Sequence, residues 1–312
     1  CTAWSQKHGM KYASTVSTLR NAHRQNTPIL GSSGGREKVG SNRIKDRENL
    51  SAFYQRNPKF SSSIAHQTGQ SRVLNTCFQD TGWALNLQDM KWIFDRQAAL
   101  GANLFNPFGF SYTLDGLRKH HIPGAQFHQN PYWKHFRLLS DYAGRLSYAL
   151  SQGRHVAKIA LLEPVTSLWT HLAHPGRNWE YMGYDSEEQT LTERLVSDWA
   201  YLLESLNQMQ RPYDCLDPEM LPQARVSDRR LELGDAQYDV LVIPPITNLE
   251  RSAFEALREF INADGHVICM GLLPIEDIQE GPSVVEAFSR LTDMEPGRMI
   301  RDYTGHEPGV HL

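Results

Sequence analysis

Residues 72–120 read RVLNTCFQDTGWALNLQDMKWIFDRQAALGANLFNPFGFSYTLDGLRKH, and residues 129–153 read QNPYWKHFRLLSDYAGRLSYALSQG. Arg72 to Phe78 is short and apolar enough for a strand. Asn86 then stands where a helix cap belongs, Met90, Ile93, Phe94 and Ala98 follow at helical spacing, and Gly101 is placed to end the helix. Ala102 to Phe110 reads as a second buried strand. A strand, a helix and a strand within about forty residues form a βαβ unit, and such a unit requires parallel strands. After an aromatic, Pro-containing loop from Ser111 to Trp133, a long amphipathic helix carries Phe136, Leu139, Ala143, Leu146 and Leu150 on one face and closes at Gly153.

Downstream the alternation continues in a new domain that begins near His155. Lys158 to Leu162 reads as a strand, and a helix follows with Leu195, Trp199, Leu202 and Leu206 turned inward. Tyr213 to Leu216 and Tyr238 to Ile243 (YDVLVI) are further strands, the latter closed by Pro244-Pro245. Phe254 to Ile261 is helical with Leu257 inward, Gly265 turns the chain, and His266 to Met270 is a last strand. Continuous Val/Ile/Leu strands alternating with helices predict a three-layer α/β sandwich of the flavodoxin type. Neither GxGxxG nor GxxxxGK[ST] occurs, so no motif supports nucleotide binding. The domain is read as structural, or as an assembly surface for a homo-oligomer.

Upstream the pattern is mixed. Trp4 to His8 predicts the end of a helix stopped at Gly9, and Met10 to Val16 a short strand. Asn26 to Asn57 is polar and lacks a sustained apolar period, which predicts a long loop with a short helix around Arg47 to Tyr54. Ser61 to His66 begins a helix or its approach. The boundaries that follow are 1–153, 154–275, and a further segment at 276–312.

The 312 residues are 40% hydrophobic and 21% charged, with a formal net charge of −3. That is the composition of a globular chain, and it gives no electrostatic case for nucleic acid or an anionic membrane. No apolar run approaches the ~18 residues of a membrane span. The four cysteines, Cys1, Cys77, Cys215 and Cys269, form no CxxC pair, which argues against structural zinc and against a disulfide scaffold. The chain opens at Cys1 in mid-pattern and reads as a piece of a longer protein, so its location, cytoplasmic or exported, stays open.

The pieces RVLNTCFQDTGW, DMKWIFDRQAALGANLFNPFGFSYTLDGLRKH and QNPYWKHFRLLSDYAGRLSYALSQGRHVA resemble a group of large bacterial glycoside hydrolases. These are the α-L-rhamnosidase-like enzymes of family 106 and its neighbours, with β-galactosidase-like barrel relatives. The matching pieces cover about a quarter of the chain. The resemblance implies that residues 1–153 are the C-terminal part of a (β/α)8 TIM-like barrel, and that the strands carrying the first carboxylate lie upstream of Cys1. It implies a glycosidase acting on a terminal sugar, L-rhamnose or galactose, of an oligo- or polysaccharide.

Barrel enzymes hold their chemistry at the carboxyl ends of strands. By resemblance, Thr15, Thr76 and Phe108 stand where a His, a Glu and a His are expected. Hydrolysis of a glycoside uses two carboxyl groups, one to protonate the leaving oxygen and one as nucleophile or base. A threonine hydroxyl holds no charge against an oxocarbenium-like centre. Either another carboxylate serves, Asp80 or Glu180 (in the aromatic run WEYMGY), or this copy is catalytically impaired and binds carbohydrate without cleaving it. Candidate substrate-binding residues are Thr15, Asn75, Trp83, Asn106, Phe108 and Tyr112. Trp83 and Tyr112, on loops after strands, have two readings: a sugar platform or packing of the barrel top. Tyr132 and Trp133 are read as core, and Asn103 as satisfying local backbone groups. His120, His121, His128 and His135 do not match a zinc helix motif. Calcium enters by resemblance only, since the oxygen ligands of an EF-hand are missing. No other cofactor is implied.

Overall fold

The computed structural model describes residues 2–15, 20, 22, 25–33, 57–78, 81–120, 124–171, 185–295 and 303–304. The chain is a mixed α/β protein built on parallel sheets, and it divides into two compact units. Among the described residues the first runs to Arg154, while Arg20, Ala22 and the residues from His155 onward belong with the second.

In the first unit, α1 (Thr2–Lys7) precedes β1 (Ala13–Ser14), β2 (Ile29–Ser33), α2 (Pro58–Gln67), β3 (Val73–Cys77), α3 (Leu87–Ala99), β4 (Leu104–Pro107) and α4 (Phe136–Leu150). The four strands pair in sequence order, β1-β2-β3-β4, all parallel. Asn86 caps α3 as its spacing predicts: its side chain accepts from the Asp89 amide, and the Asp89 carboxylate answers the Asn86 backbone N–H, a full capping box. Met90, Ile93 and Phe94 bury one face of α3 against Cys77, Phe78, Leu85, Phe136 and Leu139. Tyr142 donates to Asp95, which also pairs with Lys91 at 2.6 Å, so a polar clasp closes the outer edge of the α3–α4 contact.

β2 corrects the sequence reading, which placed Ile29–Ser33 inside a loop. Only Ile29 and Leu30 are strongly apolar there, yet the strand lies inside the sheet with β1 and β3 on either side. Gly31 explains the composition. A Cβ at this position would stand 2.9 Å from Thr15 Cγ2 and 3.0 Å from the Ser14 carbonyl oxygen, so β1 can approach β2 only over a bare backbone. α2 also hides its role behind polar residues. Ser61, Ser62 and Ser63 are buried, and their hydroxyls donate to the carbonyls of Gly31, Lys59 and Leu100, letting the helix lie close on the sheet. β1 and β4 are well short of the Met10–Val16 and Ala102–Phe110 that the sequence suggested, and β3 loses one residue at each end of Arg72–Phe78. The helix expected around Arg47 to Tyr54 lies outside the described residues.

The second unit contains β5 (Ile159–Leu162), α5 (Val165–His171), α6 (Ser186–Gln208), β6 (Tyr213–Leu216), β7 (Arg225–Ser227), β8 (Arg230–Leu233), β9 (Ala236–Tyr238), β10 (Val240–Ile243), α7 (Arg251–Asn262), β11 (His266–Cys269) and α8 (Val284–Thr292). Its parallel sheet has the order β11-β10-β5-β6, and β7-β8-β9 form a separate antiparallel sheet. α6 buries Leu191, Leu195, Trp199 and Leu203; of the inward residues the spacing suggested, Leu202 and Leu206 are only half-buried. The YDVLVI strand proves to be two: Tyr238 ends β9 and β10 starts at Val240. The break falls at Asp239, whose amide donates to the Lys158 carbonyl and whose carboxylate pairs with Lys158 at 3.1 Å and Arg230 at 2.9 Å. α8, with Phe288 against Phe254 at 4.8 Å between ring centroids, packs within this unit. No helix among the described residues is long and apolar enough to cross a membrane.

At the carboxyl ends of β5 and β6 this unit buries a cation among acids. The Arg20 guanidinium contacts Glu250, donates to Thr166 Oγ1 at 3.0 Å, and lies 3.5 Å from Asp217 Oδ1 and 3.3 Å from Glu219 Oε1. Asp217 is fully buried and also accepts from the amides of Ala22 and Glu219. Burial holds its carboxyl above the usual range, outweighing Arg20 and the two amides.

Two outcomes follow. Asn103 accepts from the Val73 amide at 2.9 Å and donates to the carbonyls of Ser71 and Leu150, joining β3 to the end of α4. Asn103→Ala orphans all three, and should lower the unfolding free energy by about 2 kcal/mol in urea titration. Arg20→Met leaves buried carboxylates without their cation, and should cost about 3–5 kcal/mol near neutral pH. A carboxyl whose folded pKa is raised contributes stability that is complete below its ordinary pKa and lost as pH rises through the folded one. With the cation gone Asp217 rises further, so the deficit should shrink as pH falls from 7.5 to ~5. Tryptophan fluorescence can follow this, Trp169 and Trp199 both lying in this unit.

Candidate functional site

In a strand, side chains alternate between faces. Cys77 and Phe105 pack on the α3–α4 cluster, so Val73, Asn75, Cys77 and Phe105 point toward the helices. Leu74, Thr76, Leu104 and Asn106 point to the opposite face. The register pairs Ser33 with Thr76 and Thr76 with Asn106, which sets these three in one row across β2, β3 and β4 near the carboxyl ends. Thr15 follows β1 beside Gly31 and is exposed, as is Asn106; Thr76 is half-buried.

Sequence reasoning anticipated Thr15, Thr76 and Asn106 but not Ser33, because β2 itself was missed. Only Ile29-Leu30 could have signalled it. Asn75 sits apart from the row. It is fully buried on the helix side, its amide donates to Ser32 Oγ at 2.8 Å, and its Oδ1 is buried with no hydrogen-bond partner among the described residues. Phe108 is half-buried, its amide donating to the Cys77 carbonyl at 2.9 Å, which locks the start of the β4 loop to β3.

The two loops that carry aromatics meet. Gly124 has φ +95°, and a Cβ there would lie 2.5 Å from the Gly82 carbonyl oxygen, so the loop bearing Trp83 touches the loop after β4. Trp83 is 41% exposed and Tyr112 88% exposed. Gln129 donates to the carbonyls of Ser111 and Tyr112, holding that backbone in place. Phe110, Phe127, Trp133 and Phe136 form a ring cluster with centroid spacings of 4.9–6.3 Å. Trp133, read from the sequence as core, is part of this cluster yet 38% exposed, as is Tyr132.

The polar groups in the strand-end row are hydroxyls and one amide. Such a row can bind sugar hydroxyls, but it supplies neither a general acid nor a nucleophilic carboxylate. It also does not fit calcium, whose oxygen cages draw on carboxylates. Asp80 and Glu180, the alternative carboxylates, lie outside the described residues, as does His121.

No protein-family model matches the chain. Among curated proteins, one provisionally named a β-glucuronidase, from Formosa agariphila, is 25% identical over 222 residues, spanning 68% of this chain and 16% of that protein. A rhamnosidase from Novosphingobium sp. PP1Y matches in structure with a TM-score of 0.59 at 16% identity, over 96% of this chain and 26% of its own. A catalytic mutant of a GH42 β-galactosidase from G. stearothermophilus matches with a TM-score of 0.51 at 13% identity, over 86% of this chain and 37% of its own. The chain is thus similar to glycoside hydrolases, with a rhamnosidase among them, and at these identities the structural likeness concerns the fold. It spans well under half the length of each.

The two faces of β3 separate by mutation. Asn75→Ala should destabilise the first unit by about 1–3 kcal/mol, while Thr76→Ala should stay within about 0.5 kcal/mol. Thermal unfolding followed by circular dichroism would check both.

Proposed function

We propose that this chain is the C-terminal part of a (β/α)8 barrel followed by a flavodoxin-like three-layer domain, and that it serves a glycoside hydrolase acting on a terminal sugar of an oligo- or polysaccharide. Four parallel strands paired in sequence order, with helices over one face, support the barrel part. The order β11-β10-β5-β6 reverses direction at β5, the pattern of doubly wound sheets, and supports the second. The observation that carries the functional reading is the strand-end row Ser33–Thr76–Asn106, with aromatic loops beside it at the end of the sheet where barrel enzymes bind substrate. Similarity to a rhamnosidase, a β-galactosidase and a protein provisionally named a β-glucuronidase supports rhamnose, galactose or glucuronate as the sugar in this reading.

In this reading Thr76, Thr15 and Asn106 bind sugar hydroxyls, Trp83 and Tyr112 offer ring faces, Phe108 walls the site, and Asn75 positions β3 from behind. The proton chemistry falls to Asp80 or Glu180. A second reading, a carbohydrate-binding relative without turnover, is favoured by one observation: a hydroxyl, not a carboxyl, occupies position 76 on the open face. We leave homo-oligomer formation through the α/β domain as part of the proposal.

Nitrophenol release from α-L-rhamnoside, β-D-galactoside and β-D-glucuronide, with the longest polypeptide that carries this chain, tests both readings. The hydrolase reading expects turnover that falls about 10²–10⁴-fold in Asp80→Asn or Glu180→Gln. Glycan binding without turnover, with activity appearing in Thr76→Glu, would establish the second. Neither binding nor turnover on any sugar would overturn both.

A further inference from the structure

Between Phe110 and Arg145 the sequence carries five Lys and Arg against two Asp, together with four of its 13 His, in a chain whose formal net charge is −3. The described basic residues stand on the segment after β4 and at the start of α4. Lys119, His128, Lys134, His135 and Arg137 are all exposed. The Arg137 side chain is 90% accessible and only loosely paired with Asp141, at 3.7 Å.

The described parts of this loop are held by hydrogen bonds. The Gln126 amide donates to the Gly109 carbonyl at 2.8 Å, Gln129 holds Ser111 and Tyr112, and short 3₁₀ turns at Gly116–Lys119 and Trp133–His135 present the lysines. The His128 ring leans on Phe127 at 4.8 Å, and Phe127 on Trp133 at 4.9 Å, so the basic groups rise from an aromatic base. Tyr112 stands clear at its edge.

Cations interleaved with partly open rings, at the carboxyl end of a parallel sheet, match a ligand that has both an apolar ring face and fixed negative charge. We propose that this loop binds an anionic carbohydrate, a glycan bearing uronate carboxylates or sulfate groups, and delivers it to the strand-end row. The inference rests on the carbohydrate reading above and narrows its substrate class. The physical argument is selectivity by charge. Each exposed ion pair is weak alone, but basic groups of one sign on this loop and the first turn of α4 favour polyanions and speed their encounter, while the rings distinguish a sugar chain from other polyanions.

The test is affinity electrophoresis and calorimetry of the intact chain with polygalacturonate, dextran sulfate, neutral dextran and, as a non-sugar polyanion, a DNA oligonucleotide. Binding to at least one anionic glycan should be at least about tenfold tighter than to dextran, and should weaken by about tenfold or more between 0.05 and 0.5 M NaCl. Which of polygalacturonate and dextran sulfate binds tells carboxylate from sulfate. The double substitution Lys119→Glu with Lys134→Glu should abolish that preference, whereas Arg225→Glu, an exposed charge reversal in the other unit, should leave it. Tyr112→Ala should weaken anionic glycan but not oligonucleotide binding; the side chain is exposed, so the fold does not depend on it, and an unchanged circular dichroism spectrum checks this. Equal binding of dextran and the anionic glycans would overturn this inference and leave the carbohydrate reading standing. Oligonucleotide binding as tight as glycan binding and insensitive to Tyr112→Ala would also overturn it. No glycan bound at all would overturn both.

Discussion

The unshifted parallel register of β2, β3 and β4 is the constraint on which the first unit depends. Once Ser33, Thr76 and Asn106 are paired in one row and the alternate residues are committed to the helices, the chemistry available at the strand ends is fixed. A one-residue slip of β3 would turn Asn75 and Cys77 outward and bury Thr76 under α3. Nothing in such a slip would be tolerated by the packed side, where Cys77 meets Met90, Ile93 and Phe94. The apolar contacts behind the sheet therefore dictate which polar groups stand in front of it.

The second unit is organised by a different device. A guanidinium among carboxylates is taken out of water where β5 and β6 end, and the desolvation of such a set is offset only if its geometry is kept. The segment containing Arg20 and Ala22 belongs with this unit although the residues on either side of it belong with the first. Arg20 and Ala22 are thus held to this unit by charge and by the Ala22 amide on Asp217.

Legibility in the sequence tracked how far each element obeys a single rule. α3 was readable because Asn86, its apolar spacing and Gly101 all agree; α4 was readable from its apolar spacing alone, since no side chain caps its start, and Leu150, read as inward, is exposed where the helix ends. β2 was not, because close approach to β1 demanded Gly31 and the row demanded Ser33, which together erased the apolar signature. The β7–β8 turn was also silent. Its central residues Asp228 and Arg229 both have positive φ, a geometry usually announced by Asn-Gly. The next turn does carry a signal in Gly234-Asp235, obscured by the continuous apolar run YDVLVI that follows. At the site, the positions of Thr15, Thr76 and Asn106 could be foreseen from strand ends, while Ser33 and the contact of the Gly82 and Gly124 loops depend on tertiary approach that no local pattern records.

Gly31 also limits what the site can become. Because β1 lies directly on its Cα, position 31 is closed to any side chain, and the group at position 15 therefore leans over bare backbone. An imidazole or carboxylate introduced at 15 would find no neighbour on β2 at that level to fix its rotamer, and would have to be braced from β1 or from above. The same tight contact that lets a fourth strand join this sheet makes its last position a poor place to grow a new catalytic group, whether by design or by descent.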